Sequence, residues 1–146
     1  MTVETTQALS LTKSIAATPE AVFEALTSAE HMSRWCCPDP TADVDIEVDL
    51  RVGGAFQIKM DVEGGPYTAH GVYREIDPPR RLVYTWDWRE ADHRMDVETV
   101  VTIELSEVDG GTLMQLTHEG FPSVEAKAAH EEGWTPCLEH LARVVG

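Results

Sequence analysis

The sequence predicts an α+β fold in which a strongly curved antiparallel sheet of about seven strands surrounds a long C-terminal helix, with two short helices after strand 1. Residues 43–118 alternate between apolar and polar side chains almost without interruption, which is typical of strands with one buried face. Short turns separate these runs, and parallel neighbours would need long crossovers, so consecutive strands are antiparallel. The long helical pattern at the C terminus is the element left to cover the sheet.

The N-terminal part is predicted to form one strand and two short helices. Residues 8–16 alternate, with Leu9, Leu11 and Ile15 on one face. Thr18 and Pro19 then give a helix N-cap and a proline at the first helical position. The first helix carries one apolar stripe, and a second short helix is expected near residues 29–35.

Six more strands follow, separated by turns at Gly53-Gly54, Gly64-Gly65-Pro66, Asp77-Pro78-Pro79 and Asp109-Gly110-Gly111. The expected strands cover residues 43–50, 56–62, 67–76, 82–88, 97–105 and 114–118. In the fifth of these, Val97 is expected in phase with Val101, Ile103 and Leu105. Ser123 can cap the final helix, whose apolar positions are Trp134, Leu138, Leu141 and Val145. Pro136 removes an amide donor, so we expect a kink or a restart of this helix near Thr135-Pro136.

Composition limits the classes of function. The chain carries 26 acidic against 11 basic residues, a net charge of −15, so it repels phosphate backbones and anionic lipid headgroups. We therefore expect neither nucleic acid nor membrane binding. No apolar run approaches the roughly 20 residues of a membrane span, and no signal peptide is apparent. A single cytoplasmic domain over residues 1–146 is expected, and the odd count of three cysteines fits a reducing compartment.

Metal and nucleophile motifs are absent from the sequence. His130-Glu131-Glu132-Gly133 is followed by Trp134, where a zinc helix would need a second histidine. There is no Cys-x-x-Cys and no Gly-x-Ser-x-Gly, so no metal, cofactor or catalytic residue is assigned. Cys36, Cys37 and Cys137 are expected to pack as small apolar side chains.

Several stretches carry a family resemblance over about residues 8–145. They are TPEAVFEALT, the Trp35…Pro38 segment, VGGAF, GVYREI…PRRLVYTW, VTIEL…GGTLMQLTHEGF and EEGW. In order and spacing the chain resembles the START-like helix-grip superfamily (SRPBCC), and within it the AHSA group, named for the activator of heat-shock protein 90 ATPase. This resemblance implies a helix-grip fold with a cavity. Two positions depart from the group: Cys36, where an aromatic residue is common, and Pro136 in the closing helix.

The leading hypothesis is a protein that binds a small hydrophobic or aromatic ligand between sheet and helix, in a carrier, sequestration or resistance role. Tryptophan and tyrosine suit a flat apolar ligand because each combines a large apolar face with one polar atom. The candidate pocket residues are Trp35, Phe56, Ile58, Tyr84, Trp86, Trp88, Val101, Ile103, Met114, Leu116, His118, Trp134, Leu138 and Leu141.

Alternatives remain open at this point. His118 is either a core histidine bonded to its neighbours or a ligand donor or general base. A polyketide cyclase or dehydratase-like enzyme without metal would use His118, Arg74 and Tyr84, with Arg74 buried beside Val72 and Ile76. A chaperone ATPase cofactor is the third hypothesis; we do not favour it, because the eukaryotic activators carry an additional N-terminal domain and this chain begins at the first strand. The resemblance also allows a homodimer, because many relatives form dimers.

Overall fold

The seven strands form one open antiparallel sheet that curves around the C-terminal helix, in a computed structural model that describes residues 7–37, 39, 41–90 and 94–145. The elements in chain order are β1 Gln7–Ile15, α1 Pro19–Thr27, α2 Ala29–Met32, β2 Asp43–Val48, β3 Ala55–Asp61, β4 Tyr67–Asp77, β5 Arg81–Trp88, β6 Thr99–Val108, β7 Gly111–Phe121 and α3 Val124–Val145. The strand order is β1-β7-β6-β5-β4-β3-β2. The predicted α+β fold, with two short helices after strand 1, is confirmed.

Local chemistry sets the N-terminal helices. The Thr18 hydroxyl accepts a hydrogen bond from the Ala21 amide at 3.2 Å, and Pro19 occupies the first turn, as the capping pattern predicts. Helix α2 ends at Met32, earlier than the expected residue 35, and residues 33–35 form a turn. Trp35 follows in this turn and donates its indole N–H to the Ala25 carbonyl oxygen at 2.7 Å, which holds the turn against α1.

The start of β6 corrects one strand prediction. Val97 lies before the strand with 42% of its surface exposed, so it does not share the buried face of Val101. Thr99, which is fully buried, takes the corresponding position in the alternation. The period-two pattern is satisfied by a threonine there because its hydroxyl is hydrogen-bonded inside the protein.

The sheet is irregular between β4 and β5. A Cβ atom at Gly71 would lie 1.8 Å from the carbonyl oxygen of Thr85, so only glycine fits. The Val72 amide donates to the Thr85 hydroxyl at 2.9 Å instead of to the opposite backbone. The register shifts between Tyr73 and Glu75. Bulges of this kind bend a strand and increase its twist, which helps the sheet to curve.

Helix α3 runs through Pro136 as one element of 22 residues, so the expected restart is wrong. Pro136 cannot donate to the carbonyl one turn back, that of Glu132, but Thr135 donates its hydroxyl to the Glu131 oxygen at 2.9 Å beside this gap. The buried stripe of α3 consists of Trp134, Cys137, Leu138 and Leu141. No helix within the described ranges is both long and apolar enough to cross a membrane.

Arg74 is a surface residue, contrary to one expectation. Its guanidinium forms an ion pair with Glu98, and 49% of its side chain is exposed. Val72, two residues earlier on the same face, is 40% exposed. Arg74 therefore faces away from the interior, and an exposed pair of this kind contributes little to stability.

Candidate functional site

A cavity of about 350 Å³ lies between the middle of α3 and the curved sheet. Its wall is built from the loop after α2, the end of β3, the start of β4, the end of β5 and one face of α3. The lining residues are Cys36, Cys37, Asp39, Met60, Val62, Tyr67, Trp86, Trp88, Ala129, His130, Gly133, Trp134 and Cys137. We call this space the larger cavity. Most of its lining is apolar or aromatic, as in sites for small organic ligands.

Three indole rings form the aromatic wall of the larger cavity. Strand β5 places Trp86 and Trp88 on one face, with ring centroids 5.6 Å apart in an edge-to-face arrangement. Helix α3 brings Trp134 to within 5.4 Å of Trp86. Trp88 donates its N–H to His130 Nε2 at 3.0 Å, and His130 Nδ1 donates to the Ala126 carbonyl at 2.7 Å. The Trp88 ring is therefore held in place by hydrogen bonds within the protein.

His118 is a fully buried structural histidine whose two ring nitrogens both have partners. Trp134 donates its N–H to Nδ1 at 3.0 Å, so the proton of the neutral ring is on Nε2. Nε2 donates to the Thr99 hydroxyl at 2.9 Å, and that hydroxyl donates to the Trp86 carbonyl. Burial, with a smaller effect from His130, lowers the pKa of His118 to about 2. A histidine in this state offers neither a basic nitrogen nor a free donor.

All three cysteines meet at the larger cavity, which sequence reasoning missed. Cys36 and Cys37 come from the loop after α2, and Cys137 comes from α3. The Cys137 thiol donates to the Cys36 carbonyl at 3.1 Å, joining the two segments. All three are free thiols. Burial raises the pKa of each, that of Cys137 to about 12, so the thiols stay protonated at neutral pH.

Asp39 is the charged side chain at the rim of the larger cavity. Its carboxylate accepts hydrogen bonds from the Thr41 hydroxyl at 2.7 Å and the Thr41 amide at 2.9 Å, which lower its pKa. No lysine or arginine lines this cavity among the residues that the structure describes. In the same part of the chain, no group of three or more potential metal ligands comes together. The site is therefore apolar with a negative rim.

A second space of about 20 Å³ adjoins the larger cavity and shares Cys36, Trp86 and Trp134 with it. We call it the inner cavity. Its remaining lining residues are Leu26, Met32, Trp35, Phe56, Ile58, Tyr73 and Tyr84.

The fourteen predicted pocket residues fall into three groups. The larger cavity is lined by Trp86, Trp88 and Trp134. The inner cavity adds Trp35, Phe56, Ile58 and Tyr84. The others belong to the filled core and line neither cavity: Val101, Ile103, Met114, Leu116, His118, Leu138 and Leu141.

Some of the missed lining residues left a signal in the sequence. Met60 and Val62 continue the alternation that begins at Phe56 and Ile58, so the same face points to them. His130 and Cys137 lie one turn to either side of Trp134, which places them near its face of α3. Asp39 is in a loop, and no periodicity predicts where a loop residue lies.

The three candidates for proton transfer do not converge. His118 has both nitrogens occupied, Arg74 is on the surface with Glu98, and Tyr84 is buried at the inner cavity. None of the three lines the larger cavity. The proton-shuttling set expected for a cyclase or dehydratase is therefore not assembled from these residues.

The curved sheet, the C-terminal helix and the cavity between them define a START-like helix-grip domain. The family model described as activator of Hsp90 ATPase homolog 1-like protein (AHSA1) matches residues 16–146. The chain therefore belongs to this family.

Solved structures agree with this assignment. A protein from Chromobacterium violaceum is 26% identical with a TM-score of 0.85, over 94% of this chain and 96% of that chain. The AHSA1 protein from Silicibacter pomeroyi is 28% identical with a TM-score of 0.81, again over 94% and 96%. A protein from Nitrosomonas europaea is 26% identical with a TM-score of 0.77, over 94% and 93%. The comparison with curated proteins gave no match.

Proposed function

We propose that the protein binds a small hydrophobic or aromatic molecule in the larger cavity, in a carrier, sequestration or resistance role. The observation that carries this proposal is a cavity of about 350 Å³ walled by Trp86, Trp88 and Trp134. This volume is in the range of about 300–1,000 Å³ typical of small-molecule sites. Flat indole faces give a flat apolar ligand a large contact area.

The charge around the cavity favours an uncharged ligand. Asp39 is at the rim, no cationic side chain of the described residues lines the wall, and the chain has a net charge of −15. An anionic ligand would lose its hydration without gaining a counter-charge. We therefore expect neutral compounds to bind better than their carboxylate derivatives.

We also infer a cytoplasmic location. The free thiols of Cys36, Cys37 and Cys137 support it, because reduced cysteines are typical of a reducing compartment.

Fluorene, a flat uncharged hydrocarbon, is a suitable first probe. Binding to the folded state alone raises the free energy of unfolding by about 2.7 kcal/mol at one hundred times the dissociation constant. We expect fluorene to raise the melting temperature in a concentration-dependent way, and calorimetric titration to give one site per chain.

Gly133→Leu tests the location of the site. Gly133 is on α3 and lines the larger cavity, so a leucine side chain there fills the space where the ligand would lie. Leucine is also a better helix former than glycine, so we expect the variant to fold, which circular dichroism checks. Ala128→Leu, at an exposed position of α3 outside the lining, is the matched control and keeps binding. Fluorene binding that survives Gly133→Leu, or no binding to the unmodified protein, contradicts the proposal.

A further inference from the structure

The size of the inner cavity limits what it can hold. Its volume is about 20 Å³, and one water molecule needs roughly 10–15 Å³ measured in the same way. It therefore holds one oxygen-sized group and no ring. Because Trp86 and Trp134 line both cavities, a ligand in the larger cavity can extend one small substituent into the inner one.

One tryptophan that lines both cavities, Trp86, has a buried donor without an acceptor. The Trp86 Nε1 atom is buried and makes no hydrogen bond with the described residues. The other three indole groups do have acceptors: Trp35 donates to Ala25, Trp88 to His130 and Trp134 to His118. Buried donors are nearly always paired in folded proteins. Trp86 is thus an exception that calls for an explanation.

Two tyrosines place further hydroxyl groups at the inner cavity. Tyr73 and Tyr84 both line the inner cavity, with 2% and 7% of their surfaces exposed and ring centroids 6.1 Å apart. Neither hydroxyl forms a hydrogen bond within the described part of the chain. Burial raises the pKa of both phenols, so each keeps its proton. The inner cavity is therefore lined by two protonated hydroxyls whose O–H groups have no acceptor among the described residues.

We propose that the inner cavity binds the acceptor oxygen of an uncharged ligand, such as a ketone carbonyl, while the flat apolar body of that ligand occupies the larger cavity. A carbonyl oxygen has two lone pairs and no proton, so it complements the hydroxyls of Tyr73 and Tyr84. The inference rests on the proposed function and adds the chemical class of the ligand: an aromatic or polycyclic ketone.

A matched pair of probes separates this inference from binding in general. Fluorene and 9-fluorenone share one flat skeleton, and only 9-fluorenone has a carbonyl oxygen. The quantity to measure, by calorimetric or fluorescence titration, is the dissociation constant of fluorene divided by that of 9-fluorenone. This ratio cancels the contribution of the shared skeleton, as in a double-mutant cycle.

Tyrosine-to-phenylalanine variants then locate the carbonyl. We expect Tyr84→Phe or Tyr73→Phe to lower the ratio about fivefold, in line with the loss of one neutral hydrogen bond. Tyr67→Phe is the matched control, because Tyr67 lines the larger cavity and not the inner one. It makes the same chemical change at the larger cavity, and a ratio that falls in this variant but in neither Tyr84→Phe nor Tyr73→Phe places the carbonyl in the larger cavity and overturns the inference.

The carbonyl stretching band of bound 9-fluorenone gives a second measurement that stability changes do not affect. A hydrogen bond to the oxygen lowers the frequency of this band, so the band moves back up in the variant that removes the donor. A ratio and a band that stay unchanged in both Tyr84→Phe and Tyr73→Phe overturn the inference while the proposed function stands. If neither probe binds the unmodified protein, the proposed function fails and this inference fails with it.

Discussion

The space between α3 and the sheet has two regions, of which one is filled by side chains and the other contains cavities. In the closed region, side chains fill the interior, and each of its members is at most 1% exposed: Val101, Ile103, Leu116, His118 and Leu141. In the open region, around Trp86, the two cavities remain. The apolar residues of both regions belong to the same core cluster, and the rings of His118 and Trp86 are only 6.1 Å apart.

The two regions also differ in whether their buried polar groups have hydrogen-bond partners. His118 has a partner for each ring nitrogen, whereas Trp86 Nε1 has no acceptor among the described residues. The ring nitrogens of His118 in the closed region thus have partners within the protein. The open region has an unpaired polar atom and enough empty volume for a ligand. We infer that the closed region mainly supplies stability and that the open region can be changed at a lower cost in folding free energy.

The largest expected effect comes from removing a side chain in each region. Leu141→Ala leaves a hole in a filled core and is expected to lower the free energy of unfolding by about 4 kcal/mol. Met60→Ala, at the wall of the larger cavity, is expected to cost about 2 kcal/mol, since Met60 already borders empty space. Chemical denaturation of both variants measures the difference. Equal losses would contradict the division into two regions.

The hydrogen-bonded chain through His118 gives the next largest effect. Thr99→Val removes the acceptor of His118 and the donor to the Trp86 carbonyl, so we expect a loss of about 2 kcal/mol. Thr112→Val is the control: Thr112 is also fully buried, but its hydroxyl makes one bond, to the Ala17 carbonyl, and about 1 kcal/mol is expected. If the two variants are equally stable, the chain adds nothing beyond a single bond.

Over a single pH unit, the pH dependence of stability is expected to have a smaller effect than the loss in Thr99→Val. The pKa of His118 is about 2 in the folded protein and 6.5 in its unperturbed state, so below pH 6.5 the unfolded chain binds a proton that the folded one does not. The part of the stability that depends on neutral His118 is fully present above pH 6.5 and is lost as the pH falls towards 2. We expect the unmodified protein to lose about 1.4 kcal/mol per pH unit relative to His118→Gln between about pH 5.5 and 4.5.

Urea denaturation of the two proteins across this interval measures that difference. The carboxylates and the other histidines are common to both proteins, so most of their contributions cancel in the comparison. Parallel stability curves would show that His118 takes up a proton in the folded state or has an accessible alternative partner.

The sheet and helices were predictable because they depend on local patterns. Alternation in Val44, Ile46 and Val48 and the cap at Thr18-Pro19 are properties of neighbouring residues. The start of β6 is an exception, because residue type alone does not decide which side chains there are buried. Val97 fits the alternation by residue type but lies before β6, and Thr99 is buried because its hydroxyl is bonded.

The division of the interior into filled and open regions was not predictable from period or residue type. Ile103 and Ile58 both alternate with polar residues, yet only Ile58 borders a cavity. Which positions line empty space depends on how closely α3 approaches each strand, and on the loop that carries Asp39. Both are set by long-range packing, so the sequence indicated the aromatic wall but not its limits.

The cysteine-lined part of the larger cavity determines whether an electrophilic ligand can bind there without reacting. Cys36, Cys37 and Cys137 line the larger cavity with polarisable sulfur atoms. Their raised pKa values leave almost no thiolate at neutral pH. Attack on an enone or a quinone requires the thiolate, so such an electrophile can lie beside the three sulfur atoms without alkylating them. This part of the wall is therefore unreactive at neutral pH, which is compatible with the aromatic ketone ligand proposed above.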